Sequence, residues 1–238
     1  MANTSVERVS IQGPMSGLGR GRIRAGRTRA GFAPGAHGYA IGMVPAIDRL
    51  LGTLALAVRV LRDNDIPCAV TGDCAVYARG GSILDVYSEV DVLVRPVDAA
   101  RGSSVLAAAG LRPPLPAVDA ERTTLYDHDI RLDLVFAPNY RPVTDELLAR
   151  AEALPLGETA APVVTIADLL VAELAVADPH RVDFTRLLHI ARELRAQVDW
   201  ARVRAETAAS PYARAFLGLL DDLGISDGPR DRGSRAAP

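Results

Sequence analysis

The chain has 238 residues, 49% hydrophobic and 24% charged, enough apolar content to build a core and too few charges for a wholly disordered polymer. All 27 basic residues are arginine, and the absence of lysine excludes Schiff-base and lysine-nucleophile chemistry. Two cysteines, Cys68 and Cys74, are too few for a disulfide-rich scaffold, and no apolar run of about 18 residues offers a membrane span, so a cytoplasmic protein with no membrane partner is expected.

Charge is unevenly spread. Between Met1 and Pro45 six arginines face one acid, Glu7, which gives this segment +5 and leaves −7 for the rest of a chain of net charge −2. The segment is rich in Gly and Ala without a helical or strand period, so it cannot offset its ordering entropy and reads as a disordered basic arm over 1–44. A passive arm, a translated upstream region ahead of Met43, is preferred to a nucleic-acid-binding arm or a transit peptide. The loose tail over 226–238 reads in the same way.

From Pro45 to Arg62, Ile47, Leu50, Leu51, Leu54, Val58 and Leu61 recur at spacings of three and four, the pattern of a helix with one buried face. Pro67 to Thr71 is a short apolar strand. Gly72 turns the chain into a short helix over Asp73 to Ala78, which Gly80-Gly81 stops. Glu89 to Val94 alternates acid and apolar residues as a half-buried strand should. Asp98 is expected to cap a helix ending near Gly110, and a proline-rich loop leads to strands over Thr123 to Asp127 and Ile130 to Phe136. After Thr165 the pattern is helical, including the stripe Phe184, Leu187, Leu188, Ala191 and Leu194. The expected class is α/β (α+β): a small mixed sheet with helices over 45–164, then a helical subdomain over 165–225.

The chemistry lies on the strands. Residues two apart in a strand share a face, so Glu89 and Asp91 present adjacent carboxylates while Val90 enters the core. Two such charges repel unless a cation lies between them, and hard oxygen donors suit Mg²⁺ or Mn²⁺. Asp133, isolated between Leu132 and Leu134, completes a three-carboxylate set if its strand lies beside theirs, as two-metal phosphoryl chemistry requires. Arg131, two residues earlier on the same face, balances charge beside the acids. The Asp127-His128-Asp129 cluster reads as a solvated hairpin end.

The order AVTGDCAVYARGG, SEVDVLVRP, IRLDLVF resembles the nucleotidyltransferase superfamily of the polymerase beta-like fold. Standalone bacterial members similar to the AbiEii toxins are nearest in flavour, and HRVDFTRLLHIAREL resembles the helix that follows their catalytic half. The resemblance implies a nucleoside triphosphate substrate, Mg²⁺ or Mn²⁺ on Glu89, Asp91 and Asp133, catalysis by Asp91 and Asp133, and nucleotide contacts from Gly72, Asp73 and Arg79. The implied acceptor is a small molecule, an RNA end or a protein, and an antitoxin is an implied partner. The chain departs from the family pattern: Gly72-Asp73 replaces a Gly-Gly or Gly-Ser turn, Glu89 replaces the first Asp, the Arg usual shortly before the acidic pair is absent, and without lysine the phosphate contacts fall to Arg79, Arg95, Arg131 or Arg181. A second reading follows from these departures, a degraded nucleotidyltransferase fold serving as a binding module of a toxin-antitoxin or phage-defence pair.

Overall fold

A computed structural model describes residues 40–82, 89–113, 119–157, 159–180 and 182–226. The expected arm lies outside them up to residue 39, and the expected tail lies outside them beyond residue 226. Helix α1 spans Ala40–Asp63, beginning earlier than the Pro45 start expected. Strand β1 (Cys68–Thr71) leads directly into α2 (Gly72–Ala78), and β2 covers Glu89–Val94. Helix α3 covers Pro96–Ala108. Asp98 therefore stands in its first turn and not at its cap: Pro96, whose ring fixes a helical φ, opens the helix after Arg95. Strands β3 (Arg122–Asp127) and β4 (Ile130–Val135) form a hairpin whose tip, His128, is exposed with φ 56°.

The segment that follows holds a 3₁₀ turn (Pro138–Tyr140), a short α4 (Asp145–Ala149) and a second hairpin, β5 (Glu152–Leu156) with β6 (Thr159–Val163). Four helices come next: α5 (Ile166–Ala175), α6 (Thr185–Glu193), α7 (Trp200–Thr207) and α8 (Pro211–Asp222). Helix α5 packs against α2, α7 and α8, and the rings of Phe184 and Phe216 meet with centroids 5.0 Å apart. Among the described residues no helix is long and apolar enough to cross a membrane.

Among the described residues six strands form one mixed sheet in the order β3-β4-β2-β1-β6-β5. Strand β2 is antiparallel to β1 and parallel to β4. Alternation puts Val90, Val92 and Val94 of β2 and Leu132 and Leu134 of β4 on the face covered by α1 and α3, where Leu54, Leu61 and Leu106 are fully buried. The other face carries the acids, and only part of it is covered. Both cysteines are buried free thiols; burial pushes Cys68 up to about 11 and Cys74 up to about 12, which leaves them protonated and inert at neutral pH.

Candidate active site

The sheet register assembles the site. Thr71 pairs with Asp91, Asp91 with Asp133, and Asp133 with Thr124, so four strands contribute one continuous cross-strand row. Glu89 lies two residues before Asp91 on the same face and pairs with Arg131. Neighbouring strands run about 4.8 Å apart, so Glu89, Asp91 and Asp133 share one small patch of that face. At the end of the row, Gly72 adopts φ 65°, a left-handed conformation natural to glycine. A Cβ on Gly72 would stand 2.5 Å from Oδ2 of Asp91, so only glycine lets the turn close onto that carboxylate.

The carboxylates differ in their surroundings. The Asp133 side chain is 2% exposed. Its Oδ1 accepts from Thr124 Oγ1 at 2.7 Å and from Arg131 Nε at 3.1 Å. Its Oδ2 accepts from Arg131 Nη2 at 2.5 Å and Arg122 Nη1 at 3.1 Å. Arg131 also reaches Glu89 through Nη1 at 3.2 Å, so one guanidinium ties the outer carboxylates together. Asp91 has no such partner among the described residues. Burial, then the charges of Glu89 and Asp133, push its carboxyl up to about 6, and Arg122 and Arg131 offset only part of this. Among the described residues no three His, Cys, Asp or Glu side chains are arranged to hold a metal ion.

The row opens into a cavity of about 210 Å³ between the sheet and α5, lined by Asp91, Leu93, Arg122, Leu147, Asp168 and Glu173 among others. Its further acids are paired. Asp168 is buried and accepts from Thr165 at 2.6 Å and from Arg150 at 2.7 Å, and it also bonds Arg202. Burial opposes ionisation of Asp168, but these donors outweigh it and hold its carboxyl below the usual range. Asp73 accepts from Nε and Nη2 of Arg186 at 3.0 and 2.7 Å, while Nη1 of Arg186 reaches Glu173 at 2.9 Å. The negative charge that Asp73 brings to the glycine turn is therefore neutralised from α6. No local signal marks Arg186 for this role, because its partner lies 113 positions away.

Arg79, expected among the nucleotide contacts, is engaged elsewhere. Its side chain is 5% exposed, and it does not line the cavity. Nε donates to the Val164 carbonyl at 2.8 Å, Nη2 to that of Val163 at 3.2 Å, and Nη1 to Glu152 at 3.0 Å, so Arg79 fastens the far end of α2 to the second hairpin. The physical reason is helix length: seven residues span about 10 Å, which carries Arg79 away from Gly72. Arg79→Ala is expected to lower stability by about 1–3 kcal/mol in chemical denaturation, since two carbonyls lose their donors. Arg95 is engaged elsewhere, by Asp98 and Asp145, and Arg181 lies outside the described residues.

No protein-family model and no curated protein matches the sequence. Solved structures do share its architecture. The solution structure of the antibiotic-resistance factor ANT(2'')-Ia matches with a TM-score of 0.53 at 13% identity, over 74% of this chain and 97% of that one. The crystal structure of ANT(2'')-Ia in complex with adenylyl-2''-tobramycin gives 0.51 at 14% identity, over 72% and 98%. At this identity the likeness speaks for architecture alone: the chain shares the fold of these two structures.

Proposed function

We propose that this protein moves a nucleotidyl group from a nucleoside triphosphate to a hydroxyl acceptor. The observation that carries the reading is the row Thr71, Asp91, Asp133, Thr124, with Glu89 on the same face and with Thr71 and Asp91 lining the cavity. In this reading the acceptor oxygen bonds to the α-phosphorus, the bond to the bridging oxygen breaks, pyrophosphate leaves with the electron pair, and the hydroxyl proton passes to solvent.

Glu89 and Asp91 fit a divalent cation: both are hard oxygen donors, and the Asp91 carboxyl is raised by burial and by like charges that a cation would offset. Mg²⁺ or Mn²⁺ bound there would neutralise charge that develops on the transferred group. The Gly72 turn keeps backbone close to Asp91, and Arg186 removes the repulsion that Asp73 would otherwise exert on a polyphosphate.

Incubation with α-labelled nucleoside triphosphates, Mg²⁺ or Mn²⁺, and small hydroxylated molecules, RNA or protein as acceptors tests the reading. Label is expected to reach one acceptor class with the native protein and to fall at least about hundredfold with Asp91→Ala. Transfer that survives this substitution overturns the site assignment.

A further inference from the structure

We infer that Asp133 is the anchor of a two-arginine clamp and not a third cation ligand, so that the site takes a single divalent cation on Glu89 and Asp91 while Arg122 and Arg131 face the polyphosphate. The inference rests on the nucleotidyl-transfer reading and sets the charge plan of that site.

An ionised carboxylate offers about four acceptor positions. At Asp133 four donors take them: Thr124 Oγ1 and Arg131 Nε on one oxygen, Arg131 Nη2 and Arg122 Nη1 on the other. Three of the four come from guanidiniums, and the Arg131 pair is bidentate, the strongest geometry available to a carboxylate. The carboxylate is also buried, so a cation would have to displace a charged partner in a poorly solvated place. Asp91, on the same row, has no donor of this kind among the described residues.

The guanidiniums are not used up by Asp133. Each has five N–H groups. Arg131 spends two on Asp133 and one on Glu89, and Arg122 spends one on Asp133 and lies 3.6 Å from Asp119. Their side chains are 37% and 36% exposed, and Arg122 lines the cavity. A chain without lysine must meet a polyphosphate with arginine, and a buried carboxylate that fixes two guanidiniums orients them before substrate arrives. Asp133 is a positioning residue in this scheme.

Binding of Mn²⁺ alone, followed by the paramagnetic signal of the free ion, and binding of a non-hydrolysable α,β-methylene nucleoside triphosphate separate the possibilities on the full chain. The native protein is expected to bind one Mn²⁺. Asp91→Asn should weaken Mn²⁺ at least tenfold. Asp133→Asn should leave Mn²⁺ affinity within about twofold and weaken the analogue about tenfold, because both guanidiniums lose their anchor. Should Asp133→Asn fail to fold, Arg131→Gln answers the same question: Mn²⁺ is retained, the analogue weakens about tenfold, and Arg131→Lys recovers only part of the loss. Two Mn²⁺ per chain, or Mn²⁺ lost in Asp133→Asn, overturns the inference and leaves nucleotidyl transfer standing. A native protein that binds neither Mn²⁺ nor the analogue overturns both.

Discussion

Asp91→Asn is expected to abolish nucleotidyl transfer and, at neutral pH, to make the protein more stable. Burial beside Glu89 and Asp133 raises the Asp91 carboxyl from 3.8 to about 6. A group whose pKa is higher in the folded than in the unfolded chain binds its proton more tightly when folded. Stability is therefore fully favoured by this group below about pH 4, falls as pH rises towards about 6, and stays lower above that. At about 1.4 kcal/mol per unit, and after a discount for solvent at the cavity mouth, the ionised group costs on the order of 1–2 kcal/mol at pH 8. Asparagine removes that cost, which corresponds to a Tm higher by roughly 2–6 °C for a chain of this size. The gap between variant and native protein should narrow as thermal scans move from pH 8 towards pH 5. Mg²⁺ should raise the Tm of the native protein and leave that of Asp91→Asn unmoved, since only a ligand that binds the folded state stabilises it. A variant less stable than the native protein at pH 8, or one that still transfers label, contradicts this account of the site.

Gly72→Ala should act in the opposite sense on stability and in the same sense on activity. At φ 65° a Cβ costs about 1 kcal/mol, and here it would also lie 2.5 Å from Asp91 Oδ2. Something must move, and the carboxylate or the turn will do so. A loss of about 1–3 kcal/mol in chemical denaturation is expected, together with a fall in transfer of at least about hundredfold, because a displacement near 1 Å suffices for that. Gly80→Ala is the control. Its φ is 85°, but nothing lies within 4 Å of the added Cβ, so it should carry the backbone cost alone and leave transfer intact. Equal activity losses in the two variants would show that the contact with Asp91 is immaterial.

The parts of this fold that were legible in the sequence are those where chemistry and periodicity coincide. Glu89 to Val94 and Ile130 to Val135 each set isolated acids in apolar strands, and both are strands; the glycine turn between β1 and α2 was legible from Gly72. The second hairpin was not legible. EALPL and TAAPV each carry a proline and show no alternation of apolar and polar residues, and they become strands because β6 pairs beside β1 and β5 beside β6. At the site, the shared face of Glu89 and Asp91 follows from spacing alone, whereas the alignment of Asp91 with Asp133 is a matter of long-range register. The guanidinium partners were least accessible. Arg131 stands two residues from its acid in sequence, but Arg122 meets Asp133 across a hairpin and Arg186 meets Asp73 from 113 positions further along the chain. Arg79 shows the converse: it is near the glycine turn in sequence, and its helix carries it away from the site.

The most direct test of the central claim uses one nucleoside triphosphate labelled either at the α- or at the γ-phosphorus, incubated with the native protein, Mg²⁺ and the acceptor class that takes up label. Nucleotidyl transfer predicts that α-label enters the acceptor while γ-label appears only in pyrophosphate, both in the native protein and neither in Asp91→Asn. Entry of γ-label into the acceptor, or α-label transfer that persists in Asp91→Asn, would contradict it.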